Sequence, residues 1–276
     1  MVAGMKSPPK RSTRAREERE PAAERLPQAA LVTGAARRIG RAIAIDLARQ
    51  GYAVALHYGD ARDEAEAAVA EIAAAGGHAV ALEAELGNER EVAALVPRAE
   101  AALGPLGVLV NNAARFERDE PLEVTRQSWD LHMEVNLRAP FLLIQHFARA
   151  LPAAAQGVVI NMLDQRVWRL TPHFVSYTVS KAALWTLTRT LAIGLAPRIR
   201  VNGIGPGPVL PSPRQTPEQF ERQRRSTPLG RGASPAEICR AVRFILESPA
   251  LTGQMLALDG GQHLGWPAPP ADALKE

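Results

Sequence analysis

Residues 29–58, AALVTGAARRIGRAIAIDLARQGYAVALHY, decide how the rest of the chain is read. An apolar run ends at Gly34, TGAARRIG follows, and RIGRAIAIDLARQG then carries apolar residues at helical spacing until Gly51. A second apolar run, GYAVALHY, closes the stretch. Short apolar runs bounded by glycine read as buried strands, so this is a strand–helix–strand unit of the usual ~30 residues. In that setting the first turn leaves helix N–H groups pointing outward, a ready site for a pyrophosphate. Only Gly34 and Gly40 of the usual glycine set are present, and Arg38 stands where a middle glycine is expected. The flanking strand and helix, more than the glycines, make this a nucleotide-binding turn.

The end of the second strand bears on the choice of nucleotide. A carboxylate there suits the ribose hydroxyls of NAD, whereas NADP is held by Arg or Lys. This strand ends in His57 and Tyr58, with Arg37 and Arg62 as the available cations and Asp60 between them. The balance predicts NADP, with NAD less favoured.

Downstream, helical and apolar segments alternate, which predicts a parallel sheet covered by helices on both faces, an α/β fold. Candidate site residues fall at the carboxyl ends of its strands, where open α/β sheets bind ligands. The fourth strand ends in Asn111 and Asn112, followed by Ala113, and the fifth, GVVINMLD, ends at Asp164. Phe116 is an apolar residue in a polar loop, suited either to covering the core or to stacking on a ligand ring. A helix is expected over about 127–150, bent where Pro140 removes a backbone hydrogen bond, with Asn136 turned inward near the break. Tyr177 and Lys181 lie four residues apart on one face of the next helix. A phenol beside a fixed ammonium is favoured as phenolate and becomes an acid/base device near neutral pH. Pro206 and Gly207 open a Pro/Arg-rich segment, 206–233, of a length expected for a lid or a disordered loop.

The chain has 276 residues, 46% of them hydrophobic, which suits one α/β domain. Its net charge is +4, but residues 1–27 hold seven Lys or Arg against four Glu, so the basic excess belongs largely to that end. No nucleic-acid surface is implied. The expected organisation is a polar, disordered tail over 1–27, a single domain over 28–264 and a Pro/Ala-rich tail over 265–276. The lone Cys239 rules out an intrachain disulfide and a Cys-rich metal site, and no metal is expected. With no apolar run of membrane-spanning length and no apolar segment after the basic start, a soluble cytoplasmic protein is expected.

TGAARRIG, NNAA, VNLRAPF, YTVSK, RVNGIGPG and LTGQMLALDGG stand in an order and spacing that resemble the short-chain dehydrogenase/reductases over about residues 31–261. The resemblance implies a doubly wound, Rossmann-type sheet of seven parallel strands binding NAD(P), in a homotetramer or homodimer acting on a small-molecule substrate. It implies Tyr177 as catalytic acid/base, Lys181 as its partner and ribose contact, and Asn136 as holder of a proton-relay water. Gly34, Arg37, Arg38, Ile39 and Gly40 would form the pyrophosphate loop, with His57, Tyr58, Asn112, Ala113, Pro206 and Gly207 completing the cofactor set. Two departures point further: Asp164 stands where most members have Ser, and Arg38 replaces a glycine. Both resemble pteridine reductases and dihydromonapterin reductases, which implies a pterin-like substrate held by Phe116, Arg38, Asp164 and Tyr177. The alternatives are a carbonyl or 3-oxoacyl reductase that tolerates Asp164, and a non-catalytic NADP-binding sensor.

Overall fold

The computed structural model describes residues 26–265. Of the tails expected over 1–27 and 265–276, residues 1–25 and 266–276 lie outside the described residues. The strands are β1 (Ala29–Val32), β2 (Ala53–Tyr58), β3 (Ala79–Glu83), β4 (Val108–Asn111), β5 (Gly157–Met162), β6 (Ile199–Pro206) and β7 (Met255–Leu258). The helices are α1 (Arg38–Arg49), α2 (Arg62–Ala74), α3 (Glu89–Leu103), α4 (Arg126–Met133), α5 (Ala139–Ala150), α6 (Val175–Gly194), α7 (Pro217–Arg225) and α8 (Pro235–Glu247). The strands form one parallel sheet in the order β3-β2-β1-β4-β5-β6-β7. The connection reverses direction between β1 and β4, and that switch point opens a crevice at the strands' carboxyl ends.

Alternation along the strands explains the two covered faces. Leu31, Leu109, Val159 and Val201 point to one side, where they pack with Leu95, Val96, Leu143 and Phe147 of α3 and α5. Their neighbours Val32, Val54, Val108, Val110, Ile160 and Ile204 face Ile43, Leu47, Ile238, Val242 and Ile245 of α1 and α8. Each such side chain taken fully out of water contributes roughly 1.5–3 kcal/mol. Cys239 is buried in the second layer, and burial pushes its thiol up to about 11.

Two expectations are corrected. The helix expected over 127–150 is interrupted: α4 gives way to a π-helical segment, Glu134–Arg138, before α5. Pro140 sits in the first turn of α5 and cannot donate to the carbonyl of Asn136, so the α-helical ladder has to change register there. The 206–233 segment is not a structureless loop, because it contains α7. Thr216 and Gln219 form a reciprocal capping box at its start, and Pro217 sits in its first turn.

Candidate active site

The turn between β1 and α1 is built on close approach. Gly34 has φ +61°, and a Cβ on Gly40 would lie 2.2 Å from the Gly34 carbonyl oxygen. Asn112 Nδ2 donates to the carbonyls of Thr33 and Gly34 at 2.9 and 3.1 Å, bracing the turn from the end of β4. His57 is buried: its Nδ1 accepts from the Gly34 N–H at 3.0 Å, so Nε2 carries the proton and donates to the Ala84 carbonyl at 3.0 Å. Burial holds its pKa below the ordinary histidine range, with Glu85 opposing and Arg98 adding to the shift. His57 therefore shapes the turn and presents no free donor.

Around this turn lies a cavity of about 360 Å³ lined by Gly34, Arg37, Ile39, Tyr58, Asn112 and Ala113 among others. A glycine cradle beside the start of a helix suits a dinucleotide pyrophosphate. The two cations expected to select NADP are both engaged. Arg37 pairs with Asp60 at 3.1 Å and Glu64 at 3.6 Å, and Arg62 pairs with Glu83 while lying over the Tyr58 ring. Gly207 continues from Pro206 at the end of β6, where a Cβ would lie 2.7 Å from Asp259 Cα.

Arg38 adopts φ +57°, a left-handed conformation that costs a non-glycine residue roughly 1–2 kcal/mol and explains why glycine is the expected occupant. Its guanidinium donates to the Pro211 carbonyl at 2.8 Å and the Leu210 carbonyl at 3.3 Å. Here it fastens the 206–233 segment over the turn. Arg214 fastens the same segment on the opposite side, through the Phe116 carbonyl and Glu117 Oε2.

The second half of the site is a buried cluster on α6 and the end of β5. The Tyr177 hydroxyl donates to Asp164 Oδ2 at 3.0 Å. Arg166 Nη1 holds the same carboxylate at 3.2 Å, and the Arg166 N–H donates to Oδ1 at 2.8 Å. Lys181 Nζ donates to the Met162 carbonyl at 2.7 Å and lies 5.8 Å from the Tyr177 ring centre. Burial lowers the Lys181 ammonium to about 8. Burial first and Asp164 second push the Tyr177 phenol well above its ordinary value, and Arg166 opposes them. Burial and, after it, the neighbouring carboxylate thus favour the protonated phenol, where the Lys181 ammonium alone was expected to favour the phenolate.

Phe116 packs against other aromatic rings of the protein. It stacks on Phe174 at 4.5 Å and 7°, and meets Tyr177 edge-on at 4.6 Å. Arg166 and Arg214 lie over its ring at 5.5 and 5.6 Å. Asn136 is fully buried, with its amide turned inward as expected; it exchanges hydrogen bonds with the Arg115 backbone and donates to Ser180 Oγ at 3.1 Å. Phe174, Arg166, Arg214 and Asp119 are contributors that sequence reading did not single out. Phe174 and Arg166 lie within the stretch around Tyr177, so proximity to that tyrosine was the available signal.

Such a site on such a sheet is that of a nucleotide-dependent oxidoreductase. Residues 34–263 match the family model described as enoyl-(acyl carrier protein) reductase, and the chain belongs to that family, within the short-chain dehydrogenase/reductases. Among curated relatives, the 3-oxoacyl-[acyl-carrier-protein] reductase FabG of Staphylococcus aureus is 33% identical over 87% of this chain and 100% of its own length. Among solved structures, the FolM alternative dihydrofolate reductase 1 of Brucella suis, in complex with NADP, is 50% identical. The match covers 87% of this chain and 96% of that one with a TM-score of 0.84. The Brucella canis protein, also with NADP, is 49% identical with a TM-score of 0.85 over 88% of this chain and 96% of that one.

Proposed function

We propose that this oxidoreductase is an NADPH-dependent reductase of a ring C=N bond in a dihydropteridine-type substrate. The observation that carries the reading is the Tyr177–Asp164 hydrogen bond of 3.0 Å beside the Phe116 ring. It is supported by the half-identical FolM alternative dihydrofolate reductases, solved with NADP.

Bound NADPH supplies the hydride, from nicotinamide C4. The turn at Gly34, Arg37, Arg38, Ile39 and Gly40 would hold its pyrophosphate, with His57, Tyr58, Asn112, Ala113, Pro206 and Gly207 as the surrounding wall and Lys181 toward the ribose. Reduction of a C=N bond needs a proton at nitrogen as hydride reaches carbon, and the Tyr177 hydroxyl, 3.0 Å from Asp164 Oδ2, is the donor. Asp164 accepts from ring N–H groups, which a flat, nitrogen-rich substrate offers. Phe116 provides a flat apolar surface for that ring, and Asn136 holds the loop around it through Arg115.

A second reading, a 3-oxoacyl or carbonyl reductase, is favoured by the FabG relatives. Against it stands Asp164, whose carboxylate would repel the negative charge developing on a ketone oxygen. The test is NADPH oxidation by the purified protein with dihydrobiopterin or dihydromonapterin in one set and a panel of ketones and 3-oxoacyl thioesters in the other. Turnover of ketones alone sinks the pterin reading, and NADPH binding without any turnover favours a sensor. We place the catalytic domain at residues 28–264 in a cytoplasmic homotetramer or homodimer, which size-exclusion chromatography with light scattering checks for assembly. No described helix is long and apolar enough to cross a membrane.

A further inference from the structure

Helix α6 carries Tyr177 and Lys181, yet its own sequence gives it no cap. Phe174 precedes it in a left-handed conformation, φ +60°, and makes no side-chain capping bond. The missing acceptor comes from the loop that bears Phe116. Asp119, nearly buried, accepts from the Ser176 N–H through its two oxygens at 3.3 and 3.4 Å, and from the Ser176 hydroxyl. Its backbone carbonyl also accepts from the Phe174 N–H at 2.9 Å. A carboxylate at a helix start satisfies donors that would otherwise be orphaned and complements the positive end of the helix dipole.

The connection extends to α4. Ser128 Oγ donates to Asp119 Oδ2 at 3.3 Å. His132, fully buried, accepts the Glu117 N–H on Nε2 at 3.0 Å, so its proton is on Nδ1, which donates to Ser176 Oγ at 2.7 Å. The chain then runs in one direction, His132 to Ser176 to Asp119. Both of its ends return to the Phe116 loop, at Glu117 and Asp119. The aromatic contacts lie inside this frame: Phe116 on Phe174 at 4.5 Å, and Phe116 on Tyr177 at 4.6 Å.

We propose that Asp119 is a positioning residue. It locks the Phe116 loop to the first turn of α6, so that the aromatic wall and the Tyr177 hydroxyl are set as one unit. The use of that wall for a flat ring rests on the proposed function, whereas the lock itself does not.

Two measurements on the full-length protein test this. In hydrogen exchange without substrate, Asp119→Asn should speed exchange in the peptides covering 113–119 and 174–178 together, by roughly tenfold, the size of a lost helix cap. The 33–40 turn should exchange as in the wild type. In steady-state assays, Asp119→Asn should lower kcat about tenfold or more while the NADPH Kd stays within about twofold. The same substitution should cost no more than about twofold on a Phe116→Ala background, because residues that act through one another are non-additive. Unchanged exchange in either peptide overturns the lock, and so does an equal kcat loss on both backgrounds. Should Asp119→Asn not fold, Ser176→Ala, which removes the hydroxyl between His132 and Asp119 but keeps the Ser176 N–H bond to the carboxylate, takes its place with an expected effect of roughly threefold in both measurements. Failure of the wild type to reduce dihydrobiopterin sinks the substrate reading alone; the assays then use whichever carbonyl compound the wild type reduces, and the exchange arm needs none.

Discussion

The Tyr177 hydroxyl and the Arg166 guanidinium meet on one carboxylate: the first donates to Asp164 Oδ2 at 3.0 Å, the second at 3.2 Å. The three groups come from the end of β5, the turn after it and the first turn of α6, and all are largely out of water. On the proposed reading, a phenol held this way passes its proton to a substrate nitrogen. Replacing Tyr177 with Phe removes the proton donor without disturbing the ring contacts to Phe116. Turnover should fall about 10²–10⁴-fold, the usual worth of a positioned acid, with little change in the NADPH Kd. A retained rate would take Tyr177 out of the mechanism.

Asp164 should decide which substrates are reduced. In Asp164→Ser, the acceptor for ring N–H groups is lost and the carboxylate that opposes a ketone oxyanion is removed. Dihydropterin turnover should fall by about 10²-fold or more, since a group left unpaired in a buried site discriminates strongly. Activity on 3-oxoacyl thioesters should stay level or rise. Parallel kcat/KM values for both classes measure this, and equal losses in both would show that Asp164 is not selective.

Much of this arrangement was legible in the sequence because it rests on local signals. The βαβ stretch gave its strands and turn through apolar spacing and Gly34, Gly40 and Gly51, and β1, α1 and β2 lie where that spacing placed them. Pro140 marked the break that became the π-helical segment, since a missing N–H is visible in one letter. What stayed hidden depends on distant partners. Nothing local says that Arg38 would bind the carbonyls of Leu210 and Pro211, more than 170 residues away, or that Asp119 would cap a helix starting at Val175. Helix α7 escaped for another reason. It buries no residue, so it lacks the apolar stripe by which helices are recognised, although Thr216, Pro217 and Gln219 spelled its capping box. Asp164 and Tyr177 were both legible as site residues, but the burial that dominates the shift of the phenol is not visible in either letter.

Phe116 gives a separate measure of the aromatic wall. Phe116→Ala removes a ring that touches Phe174, Tyr177, Arg166 and Arg214 at once. An aromatic stacking contact is worth about 0.5–1.5 kcal/mol beyond its buried area. KM for the dihydropterin should therefore rise about tenfold, with the NADPH Kd unchanged. A KM that does not move would place the substrate elsewhere.

If Arg37 is the cation that meets the NADP phosphate, its present partners should tune cofactor preference. Asp60 holds it at 3.1 Å, with side chains 54% and 85% exposed, so the pair is well screened and easily exchanged. Asp60→Asn leaves the guanidinium only its longer contact with Glu64, at 3.6 Å, and removes a negative charge from the cavity. NADPH should bind roughly two- to fivefold more tightly, the scale of an exposed ion pair, with NADH little affected. Arg37→Gln should act in the opposite sense. Both shifts should shrink as ionic strength rises. Titration of the protein's tryptophan fluorescence with each nucleotide measures them, and equal responses to NADPH and NADH would remove Arg37 from the selection.

Two buried histidines give the fold an acid sensitivity of definite sign. His57 and His132 are both held below the ordinary value of 6.5, burial being the largest cause in each. Above that value both are neutral folded or unfolded, and they contribute no slope. Below it the unfolded chain takes up protons that the folded chain refuses, so stability falls with falling pH until the folded-state pKa is reached. Protonating His57 would put a second N–H against the Gly34 N–H that its Nδ1 now accepts. Tm should therefore drop between about pH 6.5 and pH 5. His57→Asn should lower Tm at pH 8, because two buried hydrogen bonds are disturbed, and should also make the acid decline shallower by removing one titrating group. Thermal denaturation from pH 8 to pH 5 reads both effects, and a decline as steep in His57→Asn as in the wild type would show that His57 does not carry it.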